Sequence, residues 1–447
     1  MSKLPAGWVL AYLDQIIVKI IGGGTPSKTN VDYFRGTKPF MTVKDMRERF
    51  PIDTIDHISE DAINSSATSI VPADTLIIAT RMSLGKIVRP KFDTAINQDL
   101  KALFLADGIN KTFVEHWWRS RAAYIVSLGT GTTVKGIRLE DIRNLQINLP
   151  PLNEQKRIAD KLDRILARVD ACRERLDRIP AILKRFRQAV LAAATSGKLT
   201  EEWREEKEIE QKWTATDIQS IAKVGTGSTP LRSNFHFYST DGTPWITSSA
   251  TANPFVYSAE EFVTEAAIAA HRLKIYPIGT LLVAMYGEGK TRGQVTELRI
   301  AATINQACAA IVVNEVLVDR AFIKLVLQAN YLQMRFLAEG GNQPNLNLSK
   351  IKKFPLLLPD LQEQTEIVRR VEELFAYADR IEARYHAARA QVEKLTPAIL
   401  AKAFRGELAP QDPNDEPASV LLERIQAARA KEEVAVKSRR SRNDGAK

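Results

Sequence analysis

The sequence is short of the residues that build disulfide frameworks, metal sites and membrane spans. Its only cysteines are Cys172 and Cys308, so a disulfide framework and zinc-ligand spacing are both absent. The five histidines are scattered, with no pair four residues apart to bind a metal ion. No apolar run reaches the roughly 18 residues of a membrane span, and no signal peptide is recognisable. These absences predict a reducing, cytoplasmic setting and no metal site.

Motifs for three kinds of catalysis are incomplete. Asn148–Leu152 (NLPPL) lacks the order and the aromatic residue of an amino-methyltransferase motif. Ala284–Thr291 (AMYGEGKT) comes close to a phosphate-binding loop but begins with alanine instead of glycine. Pro359 and Asp360 open a helix, and no acidic-x-lysine pair follows them at nuclease spacing. The sequence therefore predicts no catalytic residue, although an ATPase that uses Gly289–Thr291 stays open as an alternative.

What the sequence does contain is a long helical segment that occurs twice. The first copy begins near Asn153 and ends at Gly197, and the second begins near Gln362 and ends at Gly406. The copies align without insertion or deletion, as expected of packed helices and not of loops. Apolar residues recur at alternating steps of four and three, the heptad pattern of a coiled coil. Each copy predicts one helix of about 65 Å, with two ordinary helices of a bundle as the alternative.

The apolar positions predict a seam between two helices that pack antiparallel. The seam residues are Ile158, Leu162, Ile165, Val169, Leu176, Leu183 and Phe186 in the first helix and Ile367, Val371, Leu374, Ile381, Val392, Leu395 and Ile399 in the second. Cys172 also falls on the heptad pattern and Cys308 lies in an apolar run, so both are expected to be buried. Pro180 and Pro397 each remove one backbone hydrogen bond, and a kink is expected at each.

A globular segment precedes each helix and is repeated more loosely. The two segments open with GGGTPSK at 22–28 and GTGSTPLRS at 225–233. Both then carry an aromatic pair, a strand–loop segment ending in Gly-Lys, an Asn-Gln pair and a glycine-rich loop. Short apolar runs bounded by Gly and Pro predict strands, while 113–125 and 320–337 predict helices. The predicted fold is α+β, with two mixed domains, two long antiparallel helices and internal pseudo-two-fold symmetry.

The paired GxTP openings, the paired Asn-Gln motifs and the paired helix starts LPPLNEQKRI and LPDLQEQTEI resemble the specificity subunits of type I restriction–modification systems. The resemblance runs from Trp8 to about Ile425. It implies two target-recognition domains, each reading one half of a bipartite, asymmetric site on double-stranded DNA. It also implies that the helices fix the spacer and dock two methyltransferase subunits, which motor-nuclease subunits can join. S-adenosylmethionine, ATP and magnesium would belong to these partners, and this chain would be non-catalytic.

On this resemblance the chain divides into six segments. They are target-recognition domain 1 (residues 1–152), the central long helix (153–197), a charged linker (198–212), target-recognition domain 2 (213–361), the distal long helix (362–406), and a tail with a short amphipathic helix and a basic end (407–447). The net charge of +10 and the pI of about 9.4 favour a polyanionic partner. A coiled-coil interaction protein with no nucleic-acid role is a further alternative.

The candidate DNA contacts are polar residues in the loops of both domains. They are Lys28 and Arg232 beside the GxTP motifs, Arg81, Lys86, Tyr286, Lys290 and Arg292 in matching strand–loop segments, and Thr130, Thr132, Lys135, Asn342, Gln343 and Asn345 in glycine-rich loops. Such side chains suit phosphates and base edges, although tight turns and drifting surface loops would look similar. The pairs Asn97-Gln98 and Asn305-Gln306 stay constant while their neighbours change, which predicts a structural hydrogen-bonding role.

Overall fold

The computed structural model describes residues 4–131, 134–287, 291–337 and 346–444, with side chains as far as residue 432. By its internal contacts the chain divides into two compact units. Unit 1 comprises Met1–Leu176 and Ala388–Lys447, and unit 2 comprises Asp177–Ala387. Each unit holds one mixed α/β domain and part of both long helices. The predicted α+β class and the internal repeat are therefore confirmed.

Domain 1, in unit 1, combines two four-stranded sheets with a two-stranded ribbon. Its strands are β1 (Val9–Tyr12), β2 (Ile17–Gly22), β3 (Lys38–Met41), β4 (Asp56–Ile58), β5 (Ser69–Val71), β6 (Leu76–Ala79), β7 (Ile87–Val88), β8 (Thr94–Ile96), β9 (Leu100–Leu105) and β10 (Gln146–Leu149). Its helices are α1 (Leu13–Ile16), α2 (Glu60–Asn64), α3 (Lys111–Ser120), α4 (Ala122–Ser127) and α5 (Leu139–Arg143). The strand orders are β2-β9-β6-β7 and β4-β3-β8-β5, and β1 pairs with β10.

Domain 2, in unit 2, contains a five-stranded sheet, a four-stranded sheet and a ribbon. Its strands are β11 (Thr214–Asp217), β12 (Ala222–Thr226), β13 (Tyr238–Ser239), β14 (Thr243–Ile246), β15 (Phe255–Val256), β16 (Glu261–Val263), β17 (Leu281–Ala284), β18 (Val295–Leu298), β19 (Thr303–Ile304), β20 (Cys308–Val313) and β21 (Pro355–Leu358). Its helices are α8 (Ile218–Ile221), α9 (Glu265–His271), α10 (Arg320–Ala329), α11 (Tyr331–Phe336) and α12 (Leu348–Lys352), and α7 (Glu201–Glu206) lies in the preceding linker.

The second domain repeats the strand pairing of the first. The order β12-β20-β17-β18 matches β2-β9-β6-β7, and the ribbon β11-β21 matches β1-β10. We call the sheet that contains these four strands the larger sheet of each domain, since its strands hold more residues, and the other sheet the smaller one. The one parallel pair of the smaller sheet is also repeated, with Phe40 opposite Ala95 in β3–β8 and Trp245 opposite Thr303 in β14–β19. Domain 2 adds β15 at the edge of its larger sheet. Because the pairing is the same, corresponding residues of the two domains can be compared strand by strand.

The main core of each domain includes the larger sheet and one amphipathic helix. Helix α3 buries Phe113, Trp117 and Trp118, and helix α10 buries Phe322 and Ile323. The buried residues of each helix recur at spacings that place them on one face. In each unit the same core also includes apolar residues of the long helices. The long helices are thus part of the domain cores and not only connectors.

Two helices of 44 residues each, α6 (Leu152–Thr195) and α13 (Leu361–Phe404), occupy the predicted heptad segments. Both continue through their prolines, Pro180 and Pro397, without an interruption of the helix. A third helix, α14 (Ala418–Asp444), has 27 residues and is longer than the short amphipathic helix expected in the tail. Among the described residues, none of the helices is long and apolar enough to cross a membrane.

The long helices run antiparallel where they meet in each unit. In unit 1, Arg173 Nη2 donates a hydrogen bond to Thr396 Oγ1 at 3.0 Å. In unit 2, Arg187 Nη2 donates to carboxylate oxygens of Asp379 and Glu382 at 2.6 and 2.8 Å. In unit 1, Gln411, just beyond the end of α13, also donates to Glu154 near the start of α6 at 3.3 Å, and in unit 2 Arg370 donates to the Leu199 carbonyl, just beyond the end of α6, at 3.0 Å. Within each unit the partner residue therefore falls in number as the residue of the first helix segment rises.

The seam departs from the predicted heptad pattern at one place. Cys172 is exposed and Leu395 is 42% exposed, contrary to expectation, whereas the other predicted seam residues are buried or partly buried. Arg173 and Thr396 meet there instead, each one residue further along its helix. A straight α-helix drifts from the heptad repeat because it has 3.6 residues per turn. The drift moves both apolar side chains out of the contact. Cys308, in contrast, is buried as predicted.

A buried ion pair joins the main helix to the larger sheet in both domains, with its charges exchanged. In domain 1, Arg89 follows β7 and its Nε lies 3.5 Å from the Glu115 carboxylate on α3. In domain 2, Glu297 on β18 and Lys324 on α10 occupy the matching positions, with Nζ and carboxylate 3.3 Å apart. All four residues are buried. The pairing is therefore preserved while the identity of each partner is not.

An aromatic ring accompanies each buried pair. The Arg89 guanidinium lies 5.2 Å from the centre of the Phe50 ring, and Lys324 Nζ lies 3.5 Å from the centre of the Phe255 ring. In domain 1, Arg49 also donates to Glu115 at 2.6 Å and to Asp163 of α6 at 2.5 Å. The buried charges of domain 1 thus extend to the long helix.

The exchanged pair gives a test of the domain correspondence. Arg299 and Arg320 also lie within 3.4 Å of the Glu297 carboxylate. We expect Glu297→Arg alone to destabilise the protein by about 3–5 kcal/mol, because it adds a cation to this group and leaves the buried Lys324 charge unpaired. Adding Lys324→Glu should recover at least half of the loss, since it recreates the pair of domain 1. Thermal and urea unfolding of the wild type, the two single variants and the double variant would measure the coupling.

Glu260→Arg, at an exposed position of the same domain, is the matched control and should change stability by less than about 0.5 kcal/mol. If the effects of Glu297→Arg and Lys324→Glu on the free energy of unfolding simply add in the double variant, the equivalence of the two ion pairs is contradicted.

Candidate nucleic-acid interface

In domain 1, four loops meet at one end of the larger sheet. Strands β2 and β6 end there and β9 and β7 begin there, because neighbouring strands are antiparallel. The Thr25 hydroxyl donates a hydrogen bond to the Gln98 side chain. The Thr80 N–H donates to the Asp99 carbonyl at 2.8 Å, and the Ile137 N–H donates to the Thr80 carbonyl at 3.0 Å. These bonds connect the GxTP loop, the Asn-Gln turn, the strand-end loop and the glycine-rich loop, and we call them the loop relay.

Domain 2 contains the same loop relay. The Thr229 hydroxyl donates to the Gln306 side chain. The Met285 N–H donates to the Ala307 carbonyl at 2.8 Å, and the Leu346 N–H donates to the Met285 carbonyl at 3.1 Å. Two of the three links join backbone groups, which every residue type except proline can supply. The same loop arrangement can therefore carry different side chains.

In each Asn-Gln pair the asparagine is less exposed than the glutamine. Asn97 is buried, and its carboxamide bonds the Asp99 carboxylate at 3.1 Å and the Asp99 N–H at 3.2 Å. The Asn305 side chain likewise accepts from the Ala307 N–H at 3.1 Å. The predicted structural role is confirmed for the asparagines. The glutamines are exposed and hold the GxTP threonines.

One glycine of each GxTP loop is required by close packing of two backbones. A Cβ atom on Gly23 would lie 1.8 Å from the Ile96 carbonyl oxygen. A Cβ atom on Gly227 would lie 1.6 Å from the Ile304 carbonyl oxygen. Any side chain would push the loop away from the strand that leads into the Asn-Gln turn. These glycines therefore set the position of the loop.

The structure brings several predicted contacts of domain 1 together. Arg81 and Thr130 each form an isolated β-bridge with Gly136, and the Lys135 carbonyl accepts from the Met82 N–H at 3.1 Å. Arg81 Nη1 lies 3.9 Å from the Asp99 carboxylate and keeps most of its side chain exposed. The other predicted residues with described positions, Lys28 and Lys86, are exposed on the GxTP and strand-end loops, and Thr132 lies outside the described residues.

In domain 2, Arg232 is held in place by its neighbours. It forms an ion pair with Glu261, and its guanidinium lies 5.0 Å from the ring centres of Tyr238 and Trp245. The hydrogen bonds that Arg232 donates to the Glu261 carboxylate raise the pKa of Arg232. The cation is thus oriented before any ligand arrives.

The remaining predicted contacts of domain 2 lie near its strand-end loop. Tyr286 is 38% exposed directly after the loop-relay residue Met285. Arg292 is partly buried, and its carbonyl accepts from Arg335 Nη1 at 3.1 Å. Four predicted contacts, Lys290, Asn342, Gln343 and Asn345, lie outside the described residues. In the part of the chain that is described, no three acidic, histidine or cysteine side chains are placed to hold a metal ion.

Lys101 is a cation at this end of domain 1 that sequence reasoning missed. Its Nζ donates to the Gln98 carbonyl at 3.2 Å and lies beside the loop-relay turn. Burial lowers the pKa of this amine, with partial compensation from Asp99. The available signal was a lysine inside the apolar strand LKALFL. Its place beside Gln98 makes it a further candidate for a phosphate contact.

A second missed feature is the carboxylate that joins each domain to a long helix. Trp8 Nε1 donates to Glu154 Oε2 at 3.0 Å in unit 1, and Trp213 Nε1 donates to Glu363 Oε2 at 3.2 Å in unit 2. Both glutamates lie in the first turn of their long helices and are buried. The sequence showed the Glu-Gln pair as an unchanged repeat, but its partners were not evident without the fold.

The glutamine that follows completes this junction. The Gln155 side chain accepts from the Asn110 N–H at 2.9 Å and donates to the Pro150 carbonyl at 3.0 Å. Gln364 accepts from the Asp319 N–H and donates to the Pro359 carbonyl, both at 2.8 Å. The bonds from Asn110 and Asp319 tie the start of each long helix to the residue before α3 or α10, and the bonds to Pro150 and Pro359 hold the end of the preceding strand segment. Orientation of the domain on its helix is therefore fixed by side-chain hydrogen bonds as well as by apolar packing.

The junction in unit 2 yields a stability prediction. Glu363 also pairs with Arg204 and accepts from the Thr200 hydroxyl at 2.7 Å. Glu363→Ala should lower the free energy of unfolding by about 3–5 kcal/mol, because it leaves the buried Arg204 without its carboxylate. Glu372→Ala, at an exposed site on the same helix, should have little effect. Equal urea midpoints for the two variants would contradict this role of Glu363.

The fold and these surfaces define a class of protein in which two similar recognition domains are carried on a pair of long helices. Residues 5–181 and 210–388 both match the family model described as the type I restriction modification DNA specificity domain. The chain belongs to this family, and the resemblance read from the sequence is confirmed.

Known relatives and solved structures agree with this assignment. The chain is 30% identical to the type I restriction enzyme EcoKI specificity subunit of Escherichia coli strain K12, and 30% identical to the StySPI specificity subunit of Salmonella potsdam. Each alignment covers 96% of this chain and 97% of the relative. The fold is similar to a crystal structure of the HsdS subunit from Thermoanaerobacter tengcongensis, with a TM-score of 0.62 and 18% identity over 91% of this chain and 98% of that chain.

Proposed function

We propose that this chain is the DNA-specificity subunit of a type I restriction–modification complex and reads a bipartite, asymmetric DNA site. The observation that carries the proposal is the loop relay, which arranges the same four loops in both domains. Arg81 and Tyr286 occupy matching positions beside it, as do Lys28 and Arg232. A common scaffold with different exposed side chains is what two readers of different half-sites require.

Charge supports DNA as the ligand. The chain has a net charge of +10, and Lys28, Arg81, Lys86 and Lys135 are exposed around the loop relay of domain 1. Such cations bind phosphates and release counterions, so affinity for DNA should fall steeply as salt rises. The ATPase alternative gains no support, because Ala284 at the start of that motif is buried within β17.

The long helices support a role in spacing. Each helix is continuous and contributes residues to both units, so its length would constrain the distance between the two half-sites. Their exposed faces would dock two methyltransferase subunits, with the motor-nuclease subunits joining through the complex. Catalysis, S-adenosylmethionine, ATP and magnesium would reside in those partners, and the complex would act in the cytoplasm.

Exchange of one domain tests the two-reader model. The ribbon β1–β10 and the Trp8–Glu154 junction should be kept, and residues 13–145 replaced by the equivalent segment of another family member. Expressed with its partner subunits, this chimera should methylate a site in which one half is new and the other unchanged. Genome-wide methylation mapping would identify both halves.

The matched control is replacement of residues 218–354 between β11 and β21, which should alter the opposite half-site. A change of both halves by either single exchange would contradict the model.

Shortening both helices tests the role in spacing. Arg173 faces Thr396, so removal of residues 170–176 together with 393–399 keeps the remaining residues in register. Seven residues correspond to about 10 Å of helix, or roughly three base pairs of DNA. The preferred spacer should shorten by that amount, or binding to the bipartite site should be lost, as measured with duplexes of graded spacer length.

Removal of residues 170–176 alone serves as the comparison, because it misaligns the helices and should impair assembly. An unchanged spacer in the paired deletion would contradict the spacing role.

A further inference from the structure

One apolar side chain in each domain stands exposed on a turn beside the GxTP loop. A 3-10 turn follows this loop in both domains, at Val31–Phe34 and at Phe235–Phe237. Its first residue is 59% exposed when it is Val31 and 85% exposed when it is Phe235. The aromatic residues later in each turn pack against buried clusters. The exposed apolar side chain is therefore a distinct feature of the turn and not an edge of the core.

The two turns are equivalent in backbone as well as in position. An asparagine precedes each turn: Asn30 Oδ1 accepts from the Asp32 N–H, and Asn234 Oδ1 accepts from the His236 N–H, both at 3.2 Å. Such a cap fixes the first turn. The side chain that the turn presents nevertheless differs in size and shape between the domains. Two readers of different half-sites need this combination of a constant backbone and a variable tip.

The turn in domain 2 is ordered by further bonds. The Tyr238 hydroxyl donates to the Pro230 carbonyl, and the Thr264 hydroxyl donates to the His236 carbonyl, both at 2.8 Å. These bonds fix the backbone on either side of Phe235. A contact made through the phenyl ring would therefore cost little conformational entropy, which favours a recognition role.

The surroundings of the turn suit DNA better than a protein partner. Thr229 of the loop relay and the oriented cation Arg232 precede Phe235 by six and three residues, in the same loop. A cation suits a phosphate, whereas an apolar tip beside it suits the edge of a base. In the major groove the apolar feature of a base edge is the 5-methyl group of thymine.

We propose that Phe235, and Val31 at the matching position of domain 1, are specificity-determining residues that recognise thymine through its 5-methyl group. Each would read one thymine of the half-site assigned to its own domain. This inference rests on the proposed function, because it requires the loop-relay end of each domain to face the major groove.

Replacement of thymine by uracil, which lacks only the methyl group, tests the proposal. The probe is the duplex whose bipartite motif is mapped by methylation in cells, and the protein is the full chain assembled with its methyltransferase partner. One thymine-to-deoxyuridine change in the half-site of domain 2 should weaken binding about fourfold, the effect of one buried methyl group. Phe235→Ala should bind the thymine and deoxyuridine duplexes equally at that position.

Three controls keep the outcome specific. Phe235→Leu should retain part of the discrimination, because leucine still offers an apolar contact. Val316→Ala removes an 81% exposed apolar residue from the loop that follows β20, at the opposite end of the sheet, and should leave the discrimination intact. Val31→Ala should abolish discrimination at one thymine of the other half-site only. Unchanged melting temperatures would show that the variants are folded.

Different results would contradict the proposed function and the recognition of thymine by Phe235. If the wild-type complex binds the bipartite duplex no better than a scrambled duplex at the same salt concentration, the proposed function fails and this inference with it. If the wild type is specific but Phe235→Ala keeps its fourfold discrimination, the inference alone is overturned. It is also overturned if no thymine in that half-site is sensitive, or if Phe235→Ala instead releases the methyltransferase subunit.

Discussion

The arrangement of each unit depends on one buried carboxylate at the start of a long helix. Glu154 and Glu363 each accept a hydrogen bond from an indole N–H of their domain. Each also binds the segment that follows the other long helix, through Gln411 in unit 1 and Arg204 in unit 2. A buried carboxylate is costly unless every partner is present. The same side chain therefore holds domain, helix and following segment together, and apolar packing need not fix their orientation alone.

With the joint fixed, the domains are free to differ where they meet a ligand. The loop relay uses backbone groups together with one Thr-Gln contact, so Arg81 can be replaced by Tyr286 at the matching position without loss of the relay. The glycines that allow close backbone packing occur in both copies. Specificity can then change through exposed side chains on a constant loop framework. This separation explains why the two domains resemble each other in hydrogen bonding more closely than in loop sequence.

Local patterns made the repeat, the two long helices and the α+β class predictable, because heptad spacing and strand-sized apolar runs are properties of neighbouring residues. Pairings between distant residues were not predictable. The heptad pattern could not show that Arg173 and Thr396 replace Cys172 and Leu395 in the seam, since this depends on the drift of two helices relative to each other. Several of the predicted contact residues lie in loops, as expected, but the hydrogen bonds that group those loops became visible only in the fold.

The exchanged ion pair shows what the core of the repeat must preserve. Arg89–Glu115 and Glu297–Lys324 connect the same strand and helix with opposite polarity. Passing from one arrangement to the other by single substitutions would place two like charges together in a buried site, at considerable cost. The two charges of each buried pair must therefore stay opposite, whereas the sign of the charge at either position can differ between the domains. The two domains thus share their paired contacts and not the residue types that form them. This explains how two domains of one chain can keep one architecture and still present different surfaces to DNA.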